Sequence, residues 1–173
     1  MSEKEPMRKE KKMKKFLVAG IMALVLAAFS TDLFAAQSSS SLGVSASVTN
    51  TCLISTAAIA FGAYDPLSAS PNDNTGGVTI TCTSGAGVTI ELDDGANYLA
   101  PNRRMVSGLN FLNYEIYQDA GRTTRWGSVA AAQNKSATGT GAADTHTAFG
   151  RIPALQNLPA GSFTDTIVAA VNF

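Results

Sequence analysis

The sequence predicts an all-β fold: an immunoglobulin-like antiparallel sandwich of about seven short strands. Three observations point to the sandwich. Outside its first 36 residues the chain has one Lys and two Glu, but abundant Gly, Ser, Thr, Asn and Ala. That balance favours strands and turns over helices. Apolar residues recur with a period of two in several segments, and clusters of Gly, Pro, Asn and Asp separate them.

Charge narrows the partners. The 13 basic and 13 acidic residues of the 173-residue chain are unevenly spread. Residues 1–36 carry seven basic and four acidic side chains, and the remaining 137 carry six and nine, a net charge of −3. The body has no basic face to neutralise phosphates, so no nucleic acid partner is expected. Its length suits one domain with a real core.

Residues 1–36 read as a secretory signal peptide, with Met7 and Met13 as alternative starts. Lys9, Lys11, Lys12, Lys14 and Lys15 precede an apolar run over residues 16–29, and small residues allow cleavage after Ala35 or Ala36. The rival reading is an uncleaved anchor, but the run is shorter than the roughly 20 residues a bilayer requires. Export gives the two cysteines a meaning. Cys52 and Cys82 are the only pair, and an oxidising compartment would join them. In the chain-entropy model such a link contributes about 3–4 kcal/mol. A metal site would need further ligands, and the lone His146 has no Cys or His nearby in sequence.

After a polar leader over residues 37–41, Leu42, Val44, Ala46 and Val48 alternate with small polar residues, which predicts a strand. Residues 37–49 are thus taken as leader and strand, and 50–173 as the domain. Residues 59–62 form a short extended piece, followed by a loop over 68–77. Val78, Ile80 and Cys82, then Val88, Ile90 and Leu92, alternate on either side of a turn at 84–87 and read as an antiparallel hairpin. Residues 109–117 form a longer strand, Trp126-Gly127 begins a return strand, and 130–145 read as a mobile loop. Residues 147–152 give another strand, stopped by Pro153. From Phe163 to the end, Ile167, Ala169, Val171 and Phe173 share one face. The chain ends inside this strand, which favours its being held in a sheet.

Catalytic chemistry is not expected. His146 lies two residues from Asp144 with no placed nucleophile. Asp93-Asp94-Gly95 lacks the spaced ligands of a calcium loop and reads as a turn. Gly139-Thr140-Gly141 has no following helix to cradle a phosphate. No metal or cofactor is anticipated. Arg103, Arg104, Arg122 and Arg125 read as solvated loop charges. Tyr114 and Tyr117 sit three apart, so one faces the core and one the surface. A weak sequon at Asn134-Lys135-Ser136 carries nothing further.

Two apolar-alternating segments therefore lie at the extremes of the body. Such a strand can be donated into the open sheet of a neighbour, and residues 42–48 would span about 23 Å at about 3.3 Å each. They can equally be the protein's own first strand, and periodicity does not separate the two.

From residue 42 to 173 the chain resembles the spore coat protein U family, which includes the pilin subunits of archaic chaperone–usher pili. The likeness is carried by residues 114–123 (Tyr-Glu-Ile-Tyr-Gln-Asp-Ala-Gly-Arg-Thr), by Cys52 and Cys82 with Val78-Thr-Ile-Thr, by Phe149-Gly150, and by the ending Gly161-Ser-Phe-Thr-Asp-Thr-Ile-Val-Ala-Ala-Val-Asn-Phe. Residues 100–108 and 130–145 match poorly. The resemblance implies a sandwich lacking its last strand, completed first by a periplasmic chaperone and then, at an outer-membrane usher, by an identical or related pilin subunit. It makes Leu42, Val44, Ala46 and Val48 the donor residues, and Ile167, Ala169, Val171 and Phe173 the last-strand residues beside the acceptor groove. The implied role is a structural subunit of an exported surface fibre, a homopolymer supporting adhesion or biofilm. A spore or cell coat protein is the alternative within the family, and a free-standing carbohydrate-binding domain the alternative outside it.

Overall fold

The structure is a computed structural model that describes residues 36–173. The signal peptide expected over residues 1–36 lies outside the described residues, apart from Ala36. Two units are distinguished, one ending at Ser45 and the other comprising Ala46–Phe173. The described part of the first, residues 36–45, carries no strand or helix and is exposed.

The second unit is all-β, with no helix among the described residues. Its strands are β1 (Cys52–Ala57), β2 (Asn72–Cys82), β3 (Gly87–Leu92), β4 (Arg103–Ser107), β5 (Asn110–Tyr117), β6 (Lys135–Thr138), β7 (Ala143–Ile152) and β8 (Ala169–Asn172). They form a five-stranded sheet in the order β1-β2-β7-β5-β4 and a three-stranded sheet in the order β6-β3-β8. Every pairing is antiparallel.

Alternation explains the layering. Val78, Ile80 and Cys82 of β2 face Val88, Ile90 and Leu92 of β3, and all six are buried. Their polar partners turn outward, as a half-buried strand requires. The expected hairpin between these strands is corrected, because β2 pairs with β1 and β7 whereas β3 pairs with β6 and β8. The turn at 84–87 carries the chain from one sheet to the other. Two apolar rows facing each other across a core look, in sequence, like two rows on one sheet. Trp126 fills the centre of that core at 0% exposure and donates its indole N–H to Ile90 O at 3.1 Å. It begins no strand: the return from β5 is a single bridge between Tyr117 and Arg125.

Two further expectations give way. The loop over 68–77 is shorter, since β2 starts at Asn72. The mobile loop at 130–145 contains β6 and the start of β7. β6 lies at a sheet edge with its side chains at most half-buried, so backbone pairing with β3 holds it and leaves little hydrophobic signal. Residues 46–51, which include Val48, belong to no strand, and the first strand is β1. Cys52 and Cys82 are disulfide-bonded across the first rung of β1 and β2, with Cα atoms 4.1 Å apart.

Candidate functional site

A cleft runs along the sandwich between the chain that follows β1 and the chain that precedes β8. It consists of two adjoining cavities of about 520 and 410 Å³, which share Ile59, Phe61 and Met105. One bank is the chain that continues from β1 through Tyr64. The other is the chain from Leu158 to Ala169. The floor is core: Val78, Leu112, Tyr114, Ile116, Ala148 and Ile152 are each no more than 5% exposed.

The first bank is seated by small residues beneath it. A Cβ on Gly76 would stand 2.5 Å from Ala57 O and 2.7 Å from Ile59 Cγ1, and one on Gly150 would stand 2.7 Å from Phe61 Cζ. Only glycine lets the bank lie this close to β2 and β7. The side-chain amide of Asn72 donates to Phe61 O at 3.2 Å and to Ala63 O at 3.1 Å, and that of Asn74 donates to Ala60 O. None of the backbone N–H groups of residues 58–64 has a partner among the described residues.

The second bank is held from one side. Thr164 exchanges backbone hydrogen bonds with Val106 at 2.9 and 3.2 Å. Thr166 O accepts from Ala96 N–H at 3.2 Å, and Val168 O from Asp93 N–H at 3.0 Å. The backbone groups of Phe163, Asp165 and Ile167 have no partner among the described residues. Successive residues of an extended chain aim their N–H and C=O groups to opposite sides, so these point away from β3 and β4. Both banks thus offer unpaired backbone edges above an apolar floor. Unpaired backbone groups and open apolar surface both carry a free-energy cost. One extended strand with alternating apolar side chains would relieve both.

The expected residues divide as follows. Ile167 and Ala169 line the 410 Å³ cavity. Val171 packs on the core opposite Ile90, and Phe173 lies beyond β8 and is 58% exposed. Leu42, Val44 and Val48 are 88, 88 and 87% exposed, and Ala46 is exposed as well. Met105 and Tyr114 on the floor, and Phe163 and Asp165 on the bank, were not anticipated as site residues. The alternation that includes Ile167 extends back to Phe163, but the carboxylate at 165 interrupts its apolar character.

The arginines read as solvated are corrected in part. Arg103 is fully buried, with Nη1 2.5 Å from Glu115 Oε1 and Nε donating to Asp93 O at 3.0 Å. Arg125 reaches Glu115 at 2.7 Å and Asp94 at 2.8 Å. Tyr114 is buried and Tyr117 is half-buried, consistent with opposite faces. The turn reading of 93–95 agrees with the structure: Gly95 takes φ +86° and donates its N–H to Asp93 Oδ1 at 3.0 Å. Among the described residues no group of three or more His, Cys, Asp or Glu is placed to hold a metal ion.

The fold and the cleft together define an immunoglobulin-like sandwich with one open strand position. A model of the Spore Coat Protein U domain matches residues 38–170. The chain belongs to that family. Protein U of Myxococcus xanthus is 31% identical over 156 residues, which cover 80% of this chain and 87% of that protein. Among solved structures, similarity is found to the CsuC–CsuE chaperone–tip adhesion subunit pre-assembly complex from archaic chaperone–usher Csu pili of Acinetobacter baumannii. The match has a TM-score of 0.54 at 22% identity and covers 73% of this chain. This chain spans 40% of the length of that solved chain, and the likeness is one of fold.

Proposed function

We propose that the protein is a structural subunit of an exported surface fibre, assembled through a chaperone–usher pathway by strand donation. In this reading residues 1–36 direct export and residues 37–49 form the leader and donor. The groove accepts Leu42, Val44, Ala46 and Val48 of another copy, giving a homopolymer. Before assembly a periplasmic chaperone fills the groove with a strand of its own, and an outer-membrane usher is where the exchange occurs. The role is mechanical rather than enzymatic, and the fibre serves adhesion or biofilm.

The observation that carries this reading is the cleft with two unpaired backbone edges over an apolar floor. The exposed row of Leu42, Val44 and Val48 supports it by supplying side chains of matching period. Burial contributes about 1.5–3 kcal/mol for each larger side chain, so exchange needs no nucleotide. Family membership and the fold shared with a pilus subunit support the same conclusion. The family's description also favours a second reading, a coat protein using the same groove. Electron microscopy of exported material separates thin fibres from a continuous layer.

The test is deletion of residues 42–48 in cells that supply the chaperone and usher. Co-purification with the chaperone should persist, whereas polymers should vanish from the surface. Fibres of normal length from the deleted chain would refute donation by this segment.

A further inference from the structure

The inward row of the second bank reads Phe163, Asp165, Ile167, Ala169 and Val171, and one member is a carboxylate. Its setting is specific. Tyr114 on the floor donates its hydroxyl to Asp165 Oδ2 at 2.7 Å, and the Asn97 amide donates to Oδ1 at 3.0 Å. Gly95 makes room for the arrangement, since a Cβ there would stand 3.2 Å from Asp165 Cγ and 2.9 Å from Ile167 Cδ1. Burial, and then the hydrogen bond to Asp165, raise the Tyr114 pKa, so the hydroxyl remains a donor.

We infer that Asp165 is a positioning residue that props the groove open for the incoming strand, acting through Tyr114. The inference rests on the strand-acceptor reading above. Between residues 163 and 168 the bank has no continuous ladder: it has the bridge at Thr164, one hydrogen bond at Thr166 O, and two at Val168, whose C=O accepts from Asp93 N–H and whose N–H donates to Asp93 Oδ1. An unfilled apolar gap favours closure, because its lining atoms lack neighbours. Inward movement of this bank would drive a carboxylate into that gap and break its bonds to Tyr114 and Asn97, which is unfavourable. Outward movement would break the same bonds. The carboxylate therefore fixes the width of the groove. An apolar residue at 165 would instead complete the apolar row and let the bank settle onto the floor.

The test uses the exported chain carrying Val44→Asp, so that it cannot donate, and a synthetic peptide of residues 42–48 as the incoming strand. Asp165→Leu and Tyr114→Phe should slow peptide association about tenfold while leaving dissociation nearly unchanged. The thermal midpoint of the unfilled chain should hold or rise. Asp165→Asn still accepts from Tyr114 and should restore most of the association rate. A lower midpoint with faster dissociation and normal association would overturn the proposal, because it marks an ordinary stabilising contact. Hydrogen exchange at amides 163–167 of the unfilled chain gives an independent reading. It should slow in Asp165→Leu, and unchanged or faster exchange refutes the prop whether or not peptide enters. Failure of the parent chain to take up peptide would count against the strand-acceptor reading, with hydrogen exchange still deciding the role of Asp165.

Discussion

Glu115 shows how much a single side chain can organise. One carboxylate oxygen meets the fully buried Arg103 at 2.5 Å and the other meets Arg125 at 2.7 Å. A buried cation stripped of its partner is costly because nothing replaces the lost solvation. Glu115→Gln should therefore lower unfolding stability by about 3 kcal/mol, as urea denaturation of the strand-filled chain would measure. Arg104→Gln is the contrast. Its guanidinium lies 4.1 Å from the centre of the Phe111 ring on the outer face, an interaction of about 0.5–1 kcal/mol. Equal losses from the two substitutions would show that the buried network has no special weight. Sequence alone could not rank these arginines. Adjacent Arg103 and Arg104 point to opposite faces of β4, and the partner that decides burial sits on the next strand.

At the scale of the strand, the seat of the first bank depends on what is missing. Gly150→Val would put a side chain where Phe61 lies, since even a Cβ comes within 2.7 Å of its ring. Overpacking of this kind costs about 1–3 kcal/mol. The larger expected effect is loss of peptide capture, because the bank that carries Ile59 and Phe61 would lift away. Calorimetry and a binding assay on the same sample separate the two, and full capture by the variant would disprove the seating role. The strands that could be read from sequence are β2 from Val78, β3, β5 and the second half of β7, where buried and half-buried residues alternate, and β8, which lies inside the alternating segment that starts at Phe163. Strands β1, β4 and β6 escaped for physical reasons. β1 exposes Leu53 at 73% and relies on its ladder and disulfide, β4 turns a charged residue inward, and β6 is a half-buried edge. Pairing was misread at β2 and β3 because alternation reports which face is buried but not which neighbour buries it. The bank over 163–168 was legible as a periodic segment, whereas the polar anchor at Asp165 broke the pattern.

For the molecule as a whole, the proposed strand-acceptor role makes stability depend on whether the groove is filled. A chain carrying a copy of residues 42–48 after Phe173, joined by a flexible Gly/Ser linker, should fill its own groove. With three large side chains contributing about 1.5–3 kcal/mol each, its stability should rise by several kcal/mol. It should also elute as a monomer. An unchanged denaturation midpoint would indicate that the cleft takes no strand of this sequence. The disulfide has a consequence of a different kind. β1 is an edge strand, and traction on the residues before it would unzip its bonds to β2 one rung at a time. The sulfur bridge sits on the first rung, between Cys52 and Cys82. Load arriving from that side therefore bypasses β1 and passes into β2, which is flanked on both sides and must be sheared rather than peeled.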